Sequence, residues 1–159
     1  MNLTKDLYSE IRTKLESITD FKYVRMWNNQ FDRENVNEAF QYPCAFIEFE
    51  DVETTDLLNN IQHFEVTVLI HIGFESYLTE DLTIFDLKQK VYEALGNFTS
   101  ATGFFIKFKW ISDRQNFDHD NTQEFIMTFK ATGKEFSIDR KNPSITGYIT
   151  DITINQTFD

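Results

Sequence analysis

The stretch QHFEVTVLIHIGF, residues 62–74, alternates between two kinds of side chain along its whole length. One set of alternate positions is entirely apolar: Phe64, Val66, Val68, Ile70 and Ile72. The other set is mostly polar: His63, Glu65, Thr67, Leu69 and His71. Because successive side chains of a β-strand point to opposite faces, the pattern predicts a strand with one buried face. His63 and His71 are interpreted as polar-face residues, roughly 27 Å apart at strand rise and unable to share a metal ion.

Outward from this strand, further alternating segments predict strands at FKYVRMW (21–27), CAFIEFEDVE (44–53), FFIKFKWIS (104–112), TQEFIMTFKAT (122–132) and 145–154. Apolar stripes at helical spacing predict helices over residues 3–18 and 79–95, the second capped by Thr79 and ended by Gly96. The helices do not alternate with every strand. The order therefore predicts one α+β domain over residues 1–159, an antiparallel or mixed sheet with two helices packed on one face. Residues 28–42 are predicted to be a loop excursion, and DVETTDLLNNIQ, residues 51–62, a long hairpin connection.

Composition restricts the function. The chain has 159 residues, 17 phenylalanines, one cysteine and a net charge of −11. The single Cys44 is interpreted as a small buried residue, since no disulfide partner or zinc-type cysteine set exists. The acidic balance argues against a protein that grips DNA, but it is compatible with the wall of a channel through which DNA slides. No stretch reaches the roughly 20 apolar residues of a membrane span.

The segment SDRQNFDHDN, residues 112–121, is the most suggestive of chemistry. Asp118, His119 and Asp120 resemble metal ligands, but neighbours on an extended chain point in opposite directions and the calcium-loop spacing fails. Asp and Asn also suit a turn between two strands. The segment is therefore interpreted as the turn between the strands at 104–112 and 122–132, with no metal, cofactor or catalytic residue expected.

Two charged groups have open interpretations. The acidic run on a strand end is either an acid/base pair or, as favoured, a solvated or subunit-facing surface; its members are Glu48, Glu50, Asp51 and Glu53. The basic group is either a site for single-stranded nucleic acid or, as favoured, a solvated lysine face; its members are Lys107, Lys109, Lys130, Lys134, Arg140 and Lys141.

The chain resembles the tail terminator and head–tail connector proteins of tailed phages. The residues that carry the resemblance are helix 3–18, YPCAFIEFED (42–51), FEVTVLIHIGF (64–74), IFDLKQKVYEALGNF (84–98) and RQNFDHDNTQEFIMTFKATG (114–133). The resemblance implies a non-enzymatic virion protein, assembled in the host cytoplasm, that forms a homo-oligomeric ring of six or twelve copies. Such a ring contacts neck, portal or tail-tube proteins, lies on no membrane and passes DNA through its lumen. The alternative is an α+β binding module for a protein or a small ligand.

Two segments are candidates for subunit contacts. The first is the excursion at 28–42, with Phe31 and Phe40. The second is the turn at 113–121. Its candidate residues are Asp113, Arg114, Phe117, Asp118, His119 and Asp120. The aromatic residues in these polar surroundings either anchor an interface or fold back onto their own core.

Overall fold

The computed structural model describes residues 3–31, 40–57, 61–75, 80–96, 98–100, 104–117 and 122–136. Its elements, in chain order, are α1 (Leu3–Glu16), β1 (Tyr23–Met26), β2 (Cys44–Leu57), β3 (Ile61–Glu75), α2 (Asp81–Leu95), β4 (Phe104–Asn116) and β5 (Thr122–Phe136). The strand predicted at 145–154 lies outside the described residues.

The described strands form one mixed sheet in the order β1-β2-β3-β5-β4. β1 is parallel to β2, and the other neighbouring pairs are antiparallel. The stretch at 62–74 lies in β3, the central strand, with β2 and β5 on either side. The predicted α+β class is confirmed, and the sheet is the mixed alternative.

Both helices pack on one face of the sheet, against the apolar set of β3. The buried stripe of α1 contains Leu7, Ile11 and Leu15, and that of α2 contains Ile84, Leu87, Val91 and Leu95. These side chains belong to one core with Ala45, Ile47, Val66, Val68 and Ile70. The opposite face of the sheet is called the second face below.

Several predicted boundaries differ from those in the structure. β2 and β3 pair from Leu57 opposite Ile61 to Cys44 opposite Gly73, with one register shift between Phe49 and Asp51, so the described part of the predicted hairpin connection at 51–62 is strand. Asp113 to Asn116 continue β4 by pairing with β5, so the predicted turn at 113–121 begins too early. Helix α2 begins at Asp81 after Glu80, which makes no side-chain capping hydrogen bond, and Thr79 lies outside the described residues. In the first two cases cross-strand pairing prevails over local turn propensity.

Candidate functional site

A buried polar network lies on the second face. His71 Nε2 is 2.7 Å from a carboxylate oxygen of Glu48, and His71 Nδ1 is 2.5 Å from one of Glu124. The amide of Asn116 donates to the other Glu124 oxygen at 2.7 Å. His71 is 4% exposed and Glu124 only 1%. A neutral imidazole has one donor and one acceptor nitrogen, so two carboxylate contacts require one further proton, on the ring or on a carboxylate.

An aromatic group covers this network. The Trp27 indole stacks on the His71 imidazole, with 4.0 Å between ring centroids and 6° between planes. The Trp27 ring also packs against the rings of Phe31 and Phe46, with 5.3 and 5.8 Å between ring centroids. Phe31 and Phe40 both pack edge-on against Phe46. These two candidate interface residues therefore touch their own domain, and each remains half-exposed.

Gly73 gives Phe31 its place on the sheet. A Cβ added at Gly73 would collide with the Phe31 ring and would lie 2.8 Å from the Cys44 sulfur. Real Cβ atoms do not approach other atoms so closely, and the ring therefore rests on bare backbone at this position. The glycine fixes where the segment after β1 returns onto the second face.

The prediction that His71 lies on the polar face of its strand is confirmed, but its burial was not predicted. The residue does lie on the face opposite the helices, but Trp27 and the neighbouring aromatic residues bury it. Local alternation carries no information about a cover that comes from a distant segment. The one available signal was the Trp-and-Phe content of residues 27–46, which exceeds what a solvated excursion needs.

The second candidate segment is partly described. Asp113 forms an ion pair with Lys88 of α2. Arg114 is exposed, and Phe117 is 80% exposed at the end of β4. Asp118, His119 and Asp120 lie outside the described residues, so their interpretation as a turn stays a prediction, as does the subunit contact.

Exposed apolar side chains concentrate on the flank formed by α2 and β4. Leu82 and Phe85 of α2 are 75% and 61% exposed. Helix α2 runs antiparallel to β4, because Tyr92 meets Trp110 and Lys88 meets Asp113. Other exposed large apolar residues of this flank are Tyr92, Trp110, Ile111 and Phe117. Exposed apolar patches of this kind mark contact surfaces.

The rest of the second face divides by charge. The cross-strand registers place a basic group on β4 and β5: Lys107, Lys109, Lys130 and Lys134. The acids on β2 and β3 are Asp51, Glu53 and Glu65. Lys130 Nζ donates to Glu65 at 2.6 Å where the two groups meet. This hydrogen bond lowers the pKa of Glu65 and raises the pKa of Lys130. Arg140 and Lys141 lie outside the described residues.

The described part of the chain bears on three other kinds of site: a metal site, a reactive thiol and a membrane-spanning helix. It holds no group of three or more His, Cys, Asp or Glu side chains placed to bind a metal ion. Cys44 is buried as predicted, and desolvation raises the pKa of its thiol. None of the described helices combines the length and apolar character needed to cross a bilayer.

Comparison with known proteins gives a likeness of fold. No protein-family model matches the chain, and no curated protein matches it in sequence. Among solved structures, the chain is similar to a protein of a structure titled "Virion of native gene transfer agent (GTA) particle". The TM-score is 0.59 at 8% sequence identity, and the match covers 85% of this chain and 99% of the other. The chain therefore shares its fold with a protein found in a virion particle.

Proposed function

We propose that this chain is a structural virion protein of a tailed phage, a tail terminator or head–tail connector. In this proposal copies assemble into a ring of six or twelve at the head–tail junction or at the end of the tail, and DNA passes through the lumen. The chain makes and breaks no covalent bond. Its partners are its own copies and the adjoining neck, portal or tail-tube proteins.

The observation that carries the proposal is the fold match to a chain of a gene transfer agent virion, which spans 99% of that chain. Because the match covers nearly all of the other chain, the two proteins have almost the whole of that chain's architecture in common. Fold alone does not fix function, so the proposal also draws on the surface of this protein. Leu82 and Phe85 on α2 and Phe117 at the end of β4 are exposed apolar side chains, as expected of a subunit that meets neighbours.

Charge also supports an architectural role. A net charge of −11 disfavours tight wrapping of nucleic acid. It suits a wall past which a polyanion moves without sticking. The alternative of a small-molecule binding module gains no support from the surface cavity of about 150 Å³ beside β1, lined by Phe21, Lys22 and Arg25 among others. Ligand pockets usually measure about 300–1,000 Å³.

The test is localisation in the particle. An antibody against the chain, or an affinity tag visible by electron microscopy, should mark one position on the axis of purified phage particles, at the neck or tail end. Peptides of the chain should copurify with the particles at a constant ratio to the major capsid protein. Absence of the chain from purified, infectious particles contradicts the proposal.

A further inference from the structure

The sheet has an acidic edge at β2. β1 pairs with β2 only from Cys44 to Ile47. From Glu48 to Leu57, β2 therefore lacks a neighbouring strand on its outer side within the described residues. This segment has no basic residue and five acids: Glu48, Glu50, Asp51, Glu53 and Asp56. Glu50, Asp51 and Glu53 are exposed.

The opposite edge, β4, is basic. Residues 98–100 cover its start, where Thr99 bridges Lys107 and Phe108 N donates to Phe98 O. From Lys109 to Asn116 no other strand of the described chain pairs with the outer side of β4. This open part carries Lys109 and Arg114, both exposed, and its one acid, Asp113, already contacts Lys88.

The two edges are joined by a row of directly paired residues across the second face. Asp51 is paired with Thr67, Thr67 with Lys130, and Lys130 with Lys109. At about 4.8 Å between strands, the two ends of this row lie about 14 Å apart. The row thus begins with an acid on one edge and ends with a lysine on the other.

We propose that the acidic edge of β2 in one copy docks against the open part of β4, from Lys109 to Asn116, in the next copy. This inference rests on the proposed ring and names the surfaces that close it. An uncovered strand edge is a template for another strand. β2 and β4 run antiparallel within the sheet, so copies related by rotation about an axis along the strands would place the two edges antiparallel to each other.

The charges select this contact over its alternatives. If two β2 edges paired, acidic side chains would face acidic side chains. If two β4 edges paired, Lys109 and Arg114 of one copy would face the same basic residues of the other. Like charges directly opposite each other destabilise a strand pair. Only the unlike pairing is attractive, and it is a head-to-tail contact, the kind that closes rings rather than two-fold dimers. Trp110 and Ile111 on β4, and Val52 on β2, add half-exposed apolar area.

The first test uses the full chain without substitution. A zero-length carbodiimide cross-linker joins amines to carboxylates in direct contact, and mixing unlabelled with ¹⁵N-labelled protein identifies links between copies. The Lys130–Glu65 pair within one copy is the internal control. We expect links between Lys109 of one copy and the 48–56 segment of another. Links that join Lys109 only to residues 137–159 of its own chain would show that the chain covers its own edge, and would overturn the inference.

The second test reverses the charge of each edge. The acid-edge variant carries Glu50→Lys, Asp51→Lys and Glu53→Lys, and the base-edge variant carries Lys109→Glu and Arg114→Glu. Each should raise the concentration needed for assembly about tenfold or more, because like charges then face each other. A chain carrying all five substitutions, and an equimolar mixture of the two variants, should assemble again.

The matched control reverses Glu80, directly before α2, and Asp86 and Glu93 within α2, with the same change in net charge as the acid-edge variant. Circular dichroism confirms that each variant is folded, and light scattering after gel filtration gives its mass. If the wild-type chain assembles and the edge variants assemble equally well, the edge contact is wrong and the ring stands. If the wild-type chain never assembles, the ring itself fails.

Discussion

His71 Nδ1 lies 2.5 Å from the carboxylate of Glu124 beneath the stacked ring of Trp27. The pair joins β3 to β5 on the second face, and Glu48 extends it to β2. Three neighbouring strands are thus tied together by polar contacts on a face that Trp27, Phe31 and Phe40 cover. The network orders the side of the sheet that the helices do not reach.

Replacing His71 by Ala should lower the free energy of unfolding by about 1–3 kcal/mol, because the change removes one hydrogen-bond partner of the buried Glu124 side chain. Chemical denaturation followed by circular dichroism measures this. Lys90→Ala is the control, since it breaks the exposed Lys90–Asp20 pair and should cost about 1 kcal/mol or less. Equal effects of the two substitutions would show that the buried network does not contribute as argued.

Gly73→Ala should destabilise the protein by about 1–3 kcal/mol through overpacking against Phe31. The same substitution in a Phe31→Ala background should cost clearly less, because the colliding ring is gone. A double-mutant cycle on the free energy of unfolding gives the coupling. Additive effects would mean that the Phe31 ring does not rest on Gly73.

The sequence predicts the helices, the central strand and the α+β class well, because each depends on a local period. Val66, Val68 and Ile70 alternate strictly, and Ile84, Leu87 and Val91 follow the helical repeat. The burial of His71 could not be predicted in this way. It depends on Trp27 and Phe31, 44 and 40 positions away in sequence, and no periodicity encodes that return.

The candidate surface residues also differ in whether local sequence or long-range pairing determines their position. Phe117 lies exposed within the segment predicted as a turn, whereas Asp113 and Arg114 lie within β4 because β5 pairs with them. The opposite charges of the β2 and β4 edges are visible in the sequence only as two separate runs. Strand order, which places those runs at opposite ends of one sheet, comes from long-range pairing.

Cys44 should react slowly with thiol reagents in the folded protein, since burial keeps it from solvent and raises the pKa of its thiol. A raised folded-state pKa favours folding below the ordinary thiol value of 9.0 and loses that contribution as the pH rises above it. Cys44→Ala should therefore flatten the fall in stability above about pH 9. Rapid labelling of native protein at pH 8 would contradict this account of Cys44.

Phe117→Ser should leave the free energy of unfolding within about 0.5 kcal/mol of wild type, because the ring is 80% exposed. Phe108→Ala, at a core position of the same strand, should cost about 3–5 kcal/mol. If Phe117 contacts a neighbouring copy, Phe117→Ser should also weaken assembly while the fold stays intact. A large loss of stability in Phe117→Ser would instead indicate that the ring packs within its own domain.

Native mass spectrometry of the purified full-length chain, over a range of concentrations, tests the central claim most directly. The proposal predicts a closed species containing six or twelve copies of the 18.9 kDa chain, with no continuous ladder of larger masses. A chain that remains monomeric at the highest concentration, with or without its particle partners, would contradict the proposal.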